Sequence, residues 1–385
     1  MTEPAPHAVG VGVIGAGMIS DQYLSALVRF PDVRVVIISD LDVPRAGAQA
    51  AKYGVPRFGT TDQLLTDSEV EIVVNLTIPA AHASVSSRAL RAGKHVWSEK
   101  PLSVDRESGR ALLEDAEAAG RLLAIAPDTI MGAGVQTAKR AIDRGDIGVP
   151  LSVTALFQFR GPDCFHPNPG FLFQPGAGPL FDIGPYYLTT FAYILGSISD
   201  VAAIGQRAQD VRRCEVGPQA GLEFPVEVPT EVRSLLRFES GATGQLLLSW
   251  DSPLRRMGFL EVTGSEGTIA IPDPNRFDGD SRIIHAADDD WTVLPAQGAA
   301  AGRGSGVLEL ARASREGRPP LFDGRLGYHV LDAMMSLEES IERRTFVPVA
   351  STSPILDSLP EDWNPYELTL VSDVSPEQVP PPKHK

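Results

Sequence analysis

The stretch VGVGVIGAGMIS at residues 9–20 predicts a buried strand, a glycine-containing turn and the start of a helix. Gly15 permits the tight turn after the strand, and Gly17 leaves room for a pyrophosphate to approach the backbone. Ser20 replaces the third glycine of a GxGxxG pattern and is still small enough for close packing of helix on strand. The unpaired N–H groups at the start of the helix would then face the anion.

Asp40 follows the second predicted strand, residues 33–39, and points to the identity of the dinucleotide. A carboxylate at this position accepts hydrogen bonds from the hydroxyl groups of an adenosine ribose and repels a 2′-phosphate. We therefore expect NAD as the cofactor and regard NADP as less favoured. The alternative, an acidic residue in an ordinary turn after a strand, stays open for Asp40.

The order of predicted elements indicates an α/β protein with two sheets. Strands and helices alternate up to residue 126, which predicts a parallel, doubly wound sheet. Beyond residue 150, strand-like runs follow one another with few helices between them, which favours an open, mostly antiparallel sheet. We therefore predict a first domain at residues 1–127, a second α/β domain at residues 128–350 and an extended C-terminal tail at residues 351–385.

Composition excludes several classes of partner. The chain has 385 residues and a formal net charge of −15, which argues against a nucleic acid or an anionic membrane as partner. Cys164 and Cys214 show no metal-ligand spacing and the histidines are scattered, so we expect neither a disulfide framework nor a metal site. Because a signal peptide and a long apolar run are both absent from the sequence, we expect a cytoplasmic protein.

Two further segments carry side chains suited to proton transfer. SEKP at residues 98–101 places Lys100 after a later strand of the first domain. GPLFDIGPYY at residues 178–187 falls in a predicted helix over residues 179–195, with Asp182 and Tyr186 four residues apart on one face. A cofactor turn, a lysine and a tyrosine are the parts of a nicotinamide-dependent alcohol dehydrogenase.

These segments resemble the glucose-fructose oxidoreductase/inositol dehydrogenase family, called Gfo/Idh/MocA, over residues 9–349. Its TPxxxH-like segment is similar to Thr77-Ile78-Pro79-Ala80-Ala81-His82, and its EKP segment to Glu99-Lys100-Pro101. Its GG(x)₃DxGxH segment is similar to residues 176–186, with Tyr186 in place of the histidine. Glucose-fructose oxidoreductase and the dimeric dihydrodiol dehydrogenases also carry tyrosine there, so this departure does not imply loss of activity.

The resemblance implies a Rossmann domain for the cofactor and a second domain for the substrate and for oligomer contacts. A homodimer or homotetramer is therefore expected. The residues that the motif and the resemblance together assign to cofactor binding are Gly15, Gly17, Met18, Ile19, Asp40, Thr77, Pro79, His82, Glu99 and Lys100. For His82, a role in capping the helix stays open as the alternative.

The chemistry of alcohol oxidation assigns the catalytic roles. A proton must leave the hydroxyl oxygen as hydride leaves carbon, and a free phenol, whose pKa is near 10, is a weak base at neutral pH. A neighbouring lysine cation favours the phenolate. We therefore predict Tyr186 as the acid/base, Lys100 as the group that tunes it, and Asp182 as the group that orients Lys100 or a substrate hydroxyl. The alternative, Lys100 as the direct proton carrier, stays open.

The substrate is expected to be a sugar or polyol bound between the domains. Asp128 follows a strand of the first domain and is predicted to point into this cleft. His166 lies in a long proline- and glycine-rich loop, residues 161–178, which is either a lid over the substrate or a packed structural loop. Both residues are candidate substrate contacts, together with Tyr186.

Three functions fit this pattern. The first is an NAD-dependent dehydrogenase acting on a sugar, a sugar derivative or a cyclitol. The second is a lyase or glycosidase that oxidises its substrate transiently and regenerates its bound NAD. The third is a sugar- or dinucleotide-sensing regulator without catalysis, which the retained Lys100, Asp182 and Tyr186 and the acidic composition argue against.

Overall fold

A parallel sheet forms the N-terminal part of the molecule. The computed structural model describes residues 8–354 and 356–370. Its first elements are β1 (Val9–Ile14), α1 (Met18–Leu27), β2 (Val33–Ser39), α2 (Val43–Tyr53), β3 (Arg57–Gly59), α3 (Thr61–Thr66), β4 (Ile72–Asn75), α4 (Pro79–Arg91), β5 (His95–Ser98), α5 (Arg106–Ala119) and β6 (Leu123–Ile125). The six strands pair in the order β3-β2-β1-β4-β5-β6, all parallel. This is the doubly wound order of a Rossmann domain.

The central strands of this sheet, β1 and β4, are buried, and their residues are mostly apolar and β-branched. Every residue of β1 and of β4 is buried, as expected for strands covered on both faces by helices. In a parallel sheet all carboxyl ends lie along one edge, and the turns after β1, β2, β4 and β5 therefore meet there. These turns carry most of the residues that the sequence assigns to the cofactor.

A second, mixed sheet follows. Its elements and those beyond it are α6 (Ala133–Asp143), β7 (Pro150–Gln158), α7 (Gly178–Asp182), α8 (Gly184–Leu195), β8 (Ile198–Gln206), β9 (Val211–Arg213), β10 (Glu223–Pro225), β11 (Glu231–Phe238), β12 (Thr243–Ser249), β13 (Arg256–Gly264), β14 (Gly267–Ala270), β15 (Ser281–His285), β16 (Thr292–Leu294), α9 (Ser305–Glu316), α10 (Gly324–Arg343) and β17 (Val347–Pro348). Nine strands pair in the order β16-β15-β14-β13-β7-β12-β11-β8-β17. Only β7 and β12 pair in parallel among the described strands of this sheet, so the predicted mostly antiparallel sheet is confirmed.

The structure corrects the prediction of one helix over residues 179–195. The chain forms two helices, α7 and α8, that meet at Ile183. Pro185 lacks the N–H group that would bond to the carbonyl of Phe181, and the first helix therefore ends at Asp182. Asp182 and Tyr186 consequently belong to different helices instead of sharing one helical face.

Several elements were not predicted from the sequence, among them β3, α3, β15, β16 and α9. The longest is α9, whose apolar residues Val307, Leu308 and Leu310 are fully buried. It follows an alanine- and glycine-rich segment that resembles a loop by composition. No helix in the described ranges is long and apolar enough to cross a bilayer.

The predicted C-terminal tail packs against the first domain in its described part. Residues 351–354 and 356–370 contain no helix or strand, and residues 371–385 lie outside the described residues. Asp32, fully buried before β2, accepts hydrogen bonds from the backbone of Thr369 and Leu370 and from Arg312 Nε at 2.8 Å. One buried carboxylate therefore fastens both α9 and the C-terminal segment to the first domain.

We expect Asp32→Ala to lower the free energy of unfolding by about 3–5 kcal/mol, because it leaves the buried guanidinium of Arg312 without its counter-charge. Urea unfolding followed by tryptophan fluorescence measures this loss. Arg34→Ala is the control, since its guanidinium pairs with an exposed carboxylate and its loss should be much smaller. Equal losses for the two variants would contradict the anchoring role of Asp32.

Candidate active site

The turn after β1 fits the pyrophosphate of a dinucleotide. Gly15 has φ = +105°, and a Cβ atom there would lie 2.6 Å from the carbonyl oxygen of Leu76, so glycine is required. Gly17 is the N-cap of α1, and a Cβ atom added to it would meet no described atom within 4 Å. The first N–H groups of α1 have no side-chain cap among the described residues. The open backbone and these donors form a cradle for an anion.

Asp40 lies at the carboxyl end of β2 beside this turn. Its Oδ2 atom accepts from the backbone N–H of Ala16 at 2.7 Å, and its Oδ1 atom accepts from Arg45 Nη2 at 2.6 Å. Burial raises the pKa of Asp40, but the hydrogen bonds from Arg45 and from the backbone lower it by a larger amount. The net pKa of Asp40 therefore lies below the ordinary value. The carboxylate is therefore ionised beside the turn after β1.

Lys100 is held by Asp182 from the second domain. Its Nζ atom donates to Asp182 Oδ1 at 2.9 Å and to the Asp182 carbonyl oxygen at 2.6 Å. Burial lowers the pKa of Lys100, but the charges of Asp182, Tyr186 and Glu99 raise it by a larger amount. The net pKa of Lys100 therefore lies above the ordinary value. Lys100 is thus held as a cation at the edge of the parallel sheet.

Tyr186 lies against the same lysine. It is buried on α8, and the centre of its ring is 5.2 Å from Lys100 Nζ. Its hydroxyl oxygen accepts a hydrogen bond from Arg303 Nη2 at 3.0 Å. The structure therefore brings Lys100, Asp182 and Tyr186 together, although a helix break separates the last two. Tyr187 is fully buried and packs against Phe157.

Arg303 is the residue at this site that sequence reasoning missed. It lies just before α9, and its Nε atom donates to Gln22 Oε1 on α1 at 3.0 Å. Only 10% of its side chain is exposed. The available signal was a single arginine within AAGRGSG, residues 300–306, immediately before an apolar periodic stretch. No recurrent motif marks it.

Asp128 lies behind Arg303 instead of at the cleft surface predicted from the sequence. It is fully buried, and its Oδ2 atom accepts from the backbone N–H groups of Gly304 and Gly306 at 2.8 and 3.1 Å. Its Oδ1 atom lies 4.0 Å from Arg303 Nη1. Burial raises the pKa of Asp128 to about 6, against the opposing effect of Arg303 and the backbone donors. Asp128 thus supports the start of α9 and faces Arg303.

His82 lies inside α4 and braces the lysine turn. Its ring nitrogens face the carbonyl oxygens of Pro101, at 2.7 Å, and Thr77, at 2.9 Å. The N-cap of α4 is Ile78, so His82 is not the capping residue. Burial lowers the pKa of His82 despite the opposing effect of these two carbonyls. With 1% exposure, the ring has little surface left for a cofactor.

The remaining predicted cofactor residues lie near the same sheet edge. Met18 is exposed at the start of α1, Ile19 is partly buried next to it, and Pro79 is the first residue of α4. Glu99 is buried, and its Oε1 atom accepts from the hydroxyl of Tyr23 at 2.8 Å. The backbone N–H of Lys100 donates to the other carboxylate oxygen of Glu99 at 3.0 Å, so Glu99 links Tyr23 to the lysine turn.

His166 lies in a loop that is fastened at both ends. Its ring packs against Phe171 with the ring centres 5.5 Å apart. Asp163, near the start of the loop, pairs with buried Arg212 at 2.7 Å, and Phe173, near its end, is fully buried. These contacts favour the packed-loop alternative over a lid that moves as a whole. The described contacts of His166 do not include Lys100 or Tyr186.

The fold and the site together define a class of protein. A Rossmann sheet presents a dinucleotide turn and a lysine at one edge, and the second domain adds a tyrosine there, as in nicotinamide-dependent oxidoreductases. The model for an oxidoreductase family with an NAD-binding Rossmann fold matches residues 9–126. The model for the GFO/IDH/MocA C-terminal domain matches residues 135–270. The chain belongs to the Gfo/Idh/MocA family and is an NAD-binding oxidoreductase, which confirms the resemblance noted from its motifs.

Individual relatives extend over most of the chain. Inositol 2-dehydrogenase 3 of Saccharopolyspora erythraea is 26% identical over 347 residues, which cover 89% of this chain and 96% of that protein. The scyllo-inositol 2-dehydrogenase (NAD(+)) of Bacillus subtilis is 24% identical over 69% of this chain and 74% of its own length. An NAD binding oxidoreductase from Klebsiella pneumoniae superposes with a TM-score of 0.80 at 26% identity, over 89% of this chain and all of that one. A levoglucosan dehydrogenase in complex with NADH and levoglucosan has a similar fold, with a TM-score of 0.78 at 23% identity, over 89% of this chain and all of that one.

We expect Gly17→Ala to weaken the binding of NADH and to leave the stability of the protein almost unchanged. No described atom lies within 4 Å of the added methyl group, so the free energy of unfolding should change by no more than about 0.5 kcal/mol. The methyl group would project toward the pyrophosphate, and the Kd for NADH should rise about tenfold or more. NADH fluorescence titration and thermal unfolding measure the two effects.

Gly15→Ala is the matched comparison. Its positive φ and the Leu76 carbonyl should make this variant less stable by about 1–3 kcal/mol, whatever its effect on NADH. If Gly17→Ala binds NADH as the wild type does, the assignment of this turn to the pyrophosphate is wrong.

Proposed function

We propose that the protein oxidises a secondary alcohol of a sugar, sugar derivative or cyclitol, with NAD as hydride acceptor and Tyr186 as the acid/base. The observation that carries this proposal is the meeting of Lys100, Asp182 and Tyr186 at the sheet edge that also holds the dinucleotide turn. The relatives named for inositol oxidation support the substrate class.

The cofactor would be held by the first domain. Gly15, Gly17 and the N-terminus of α1 suit the pyrophosphate, and Asp40 suits the ribose hydroxyls. The ionised Asp40 would repel a 2′-phosphate, which supports NAD over NADP, although its partner Arg45 lies close by. When bound, the nicotinamide supplies the hydride acceptor.

Two features favour Tyr186 over Lys100 as the proton carrier. Lys100 is kept as a cation by Asp182, so it has no free electron pair to accept a proton. The Tyr186 oxygen instead accepts a hydrogen bond from the Arg303 cation, and the Lys100 cation lies 5.2 Å from the centre of the Tyr186 ring, so both cations would favour negative charge on the oxygen. In the proposed reaction the substrate hydroxyl gives its proton to the Tyr186 oxygen, while Lys100 holds the reacting oxygen.

We expect Tyr186→Phe and Lys100→Ala each to lower kcat by about 10²–10⁴-fold, because the first removes the group that takes the proton and the second removes the cation that holds the reacting oxygen. Formation of NADH or NADPH is followed by absorbance with inositols, monosaccharides and anhydrosugars as substrates. Lys52→Ala is the control, since this lysine lies on the surface and pairs with Asp21.

The outcomes separate the three candidate functions. If the wild type forms NADH with one of these substrates and both variants do not, the result supports the dehydrogenase and identifies the substrate. Tight NADH binding without net NADH formation from any substrate would overturn the dehydrogenase. Cleavage of a glycoside by the wild type would then indicate the redox-cycling enzyme, and ligand binding unaffected by Lys100→Ala would indicate a sensor.

We also propose that the open face of the second sheet pairs with another copy of the chain, as a homodimer or within a homotetramer. Ile204 on β8 and Leu235 on β11 lie on this face and are 73% and 54% exposed. Phe346, next to β17, is 46% exposed at the same end of the sheet. A group of large apolar side chains exposed on one sheet face is typical of a protein interface.

We expect the double substitution Ile204→Lys with Leu235→Lys to give monomers, because it places charges at the centre of the proposed interface. Size-exclusion chromatography with light scattering measures the mass of the particle. Val211→Lys is the control, at an exposed apolar residue of the separate β9–β10 pair. A wild-type protein that is monomeric at micromolar concentration would refute the proposal.

A further inference from the structure

We propose that Arg303 is a positioning residue for Tyr186, and that Asp128 holds Arg303 in place, so that a chain Asp128–Arg303–Tyr186 sets the charge at the proton-transferring oxygen. This inference rests on the proposed function, because it assigns a further role in the same proton transfer. It gives a function to the residue that no motif marks.

The oxygen of Tyr186 receives its described hydrogen bond from Arg303 and not from Lys100. Lys100 Nζ donates its two described hydrogen bonds to Asp182 and lies over the ring of Tyr186. Arg303 Nη2 is the group that donates directly to the Tyr186 oxygen, at 3.0 Å. A charge-assisted hydrogen bond of this kind strengthens when the acceptor becomes an anion. Arg303 therefore stabilises the phenolate by contact, and Lys100 keeps the position from which it can hold the substrate oxygen.

Arg303 is fixed by hydrogen bonds to three other parts of the chain. Its guanidinium is bound from three sides, by Tyr186 on α8, by Gln22 on α1 at 3.0 Å and by Asn275 after β14 at 3.4 Å. Its side chain is nine-tenths buried. A planar donor held by three separate elements has one orientation, which is what a positioning group requires.

Asp128 holds the segment that carries Arg303. One of its oxygens accepts from Gly304 and Gly306, which fixes the backbone on both sides of the start of α9. Its other oxygen faces Arg303 Nη1 at 4.0 Å, and neither of these two atoms has a hydrogen-bond partner among the described residues. Asp128 thus acts on Arg303 through both the backbone and the charge.

Other ionisable groups lie around Tyr186 and Arg303 and also bear on the pH profile. Lys100, after β5, lies over the Tyr186 ring and pairs with Asp182 on α7, and the hydroxyl of Tyr23 on α1 donates to Glu99. Of the cations in this group, Arg303 alone contacts the Tyr186 oxygen within the described ranges. Replacing Arg303 therefore removes positive charge at the Tyr186 oxygen and leaves the other ionisable groups unchanged.

The test uses the full-length protein with the substitution Arg303→Ala. We expect kcat to fall about ten- to a hundredfold, and the acidic limb of the pH profile of kcat to move upward by about one pH unit, because the phenolate loses a charged donor. Added guanidinium chloride at low millimolar concentration should restore part of the activity, and sodium chloride should not. Arg276→Ala is the control, since that arginine is exposed and pairs with Asp278.

The role of Asp128 is tested by coupling. Asp128→Asn keeps the shape and an acceptor oxygen but removes the negative charge that faces Arg303. It should therefore lower kcat in the wild-type background and have little further effect in a protein that already carries Arg303→Ala. Fully additive effects of the two substitutions would overturn the chain. A higher KM with an unchanged pH profile in Arg303→Ala would also overturn it, since Arg303 would then bind substrate only.

A spectroscopic readout keeps this inference separate from the proposed function. The tyrosinate absorbance that Tyr186→Phe removes from the pH titration belongs to Tyr186. That signal should move to higher pH in Arg303→Ala, whether or not any substrate is turned over. An unmoved signal would refute the role of Arg303, whereas a moved signal without substrate turnover would refute the proposed function alone.

Discussion

Lys100 and Asp182 form an ion pair that joins the parallel sheet to the second domain. Removing a lysine cation from water costs free energy, and a buried cation is stable only where opposite charge and hydrogen bonds replace its hydration. Asp182 supplies both, through its carboxylate and its backbone oxygen. The position of α7, and with it the start of α8 that carries Tyr186, follows from this requirement. The geometry of the site therefore depends on one contact across two domains.

The two domains contribute different kinds of chemistry to this edge. The Rossmann sheet supplies fixed backbone donors, an ionised Asp40 and a lysine, which are suited to hold a dinucleotide and an oxygen. The second domain supplies Tyr186 and the carboxylate of Asp182. The chain then returns to the first domain through α9, where Gly306 lies so close to Trp97 that a Cβ atom would be 2.1 Å from its ring. This return brings Arg303 to Tyr186.

Sequence reasoning succeeded where the information is local. Apolar runs of the right length gave strands, and Gly15 marked a turn that only glycine can adopt because of its positive φ. It failed where neighbours distant in sequence decide the outcome. Asp128 is expected in the cleft from its place after a strand, yet the N-terminus of α9, 176 residues later in the chain, covers it.

By itself, the sequence predicted the alternating strands and helices of the first domain and the doubly wound sheet, and it singled out a dinucleotide turn and Lys100, Asp182 and Tyr186 as candidate site residues. It could do so because these depend on short-range periodicity and on motifs with fixed spacing. Only the tertiary structure decided that Asp182 pairs with Lys100, that Arg303 contacts the Tyr186 oxygen and that Asp128 is buried behind it. Such contacts join segments far apart in the chain, and their partners are chosen by packing and by the need of buried charges for compensation.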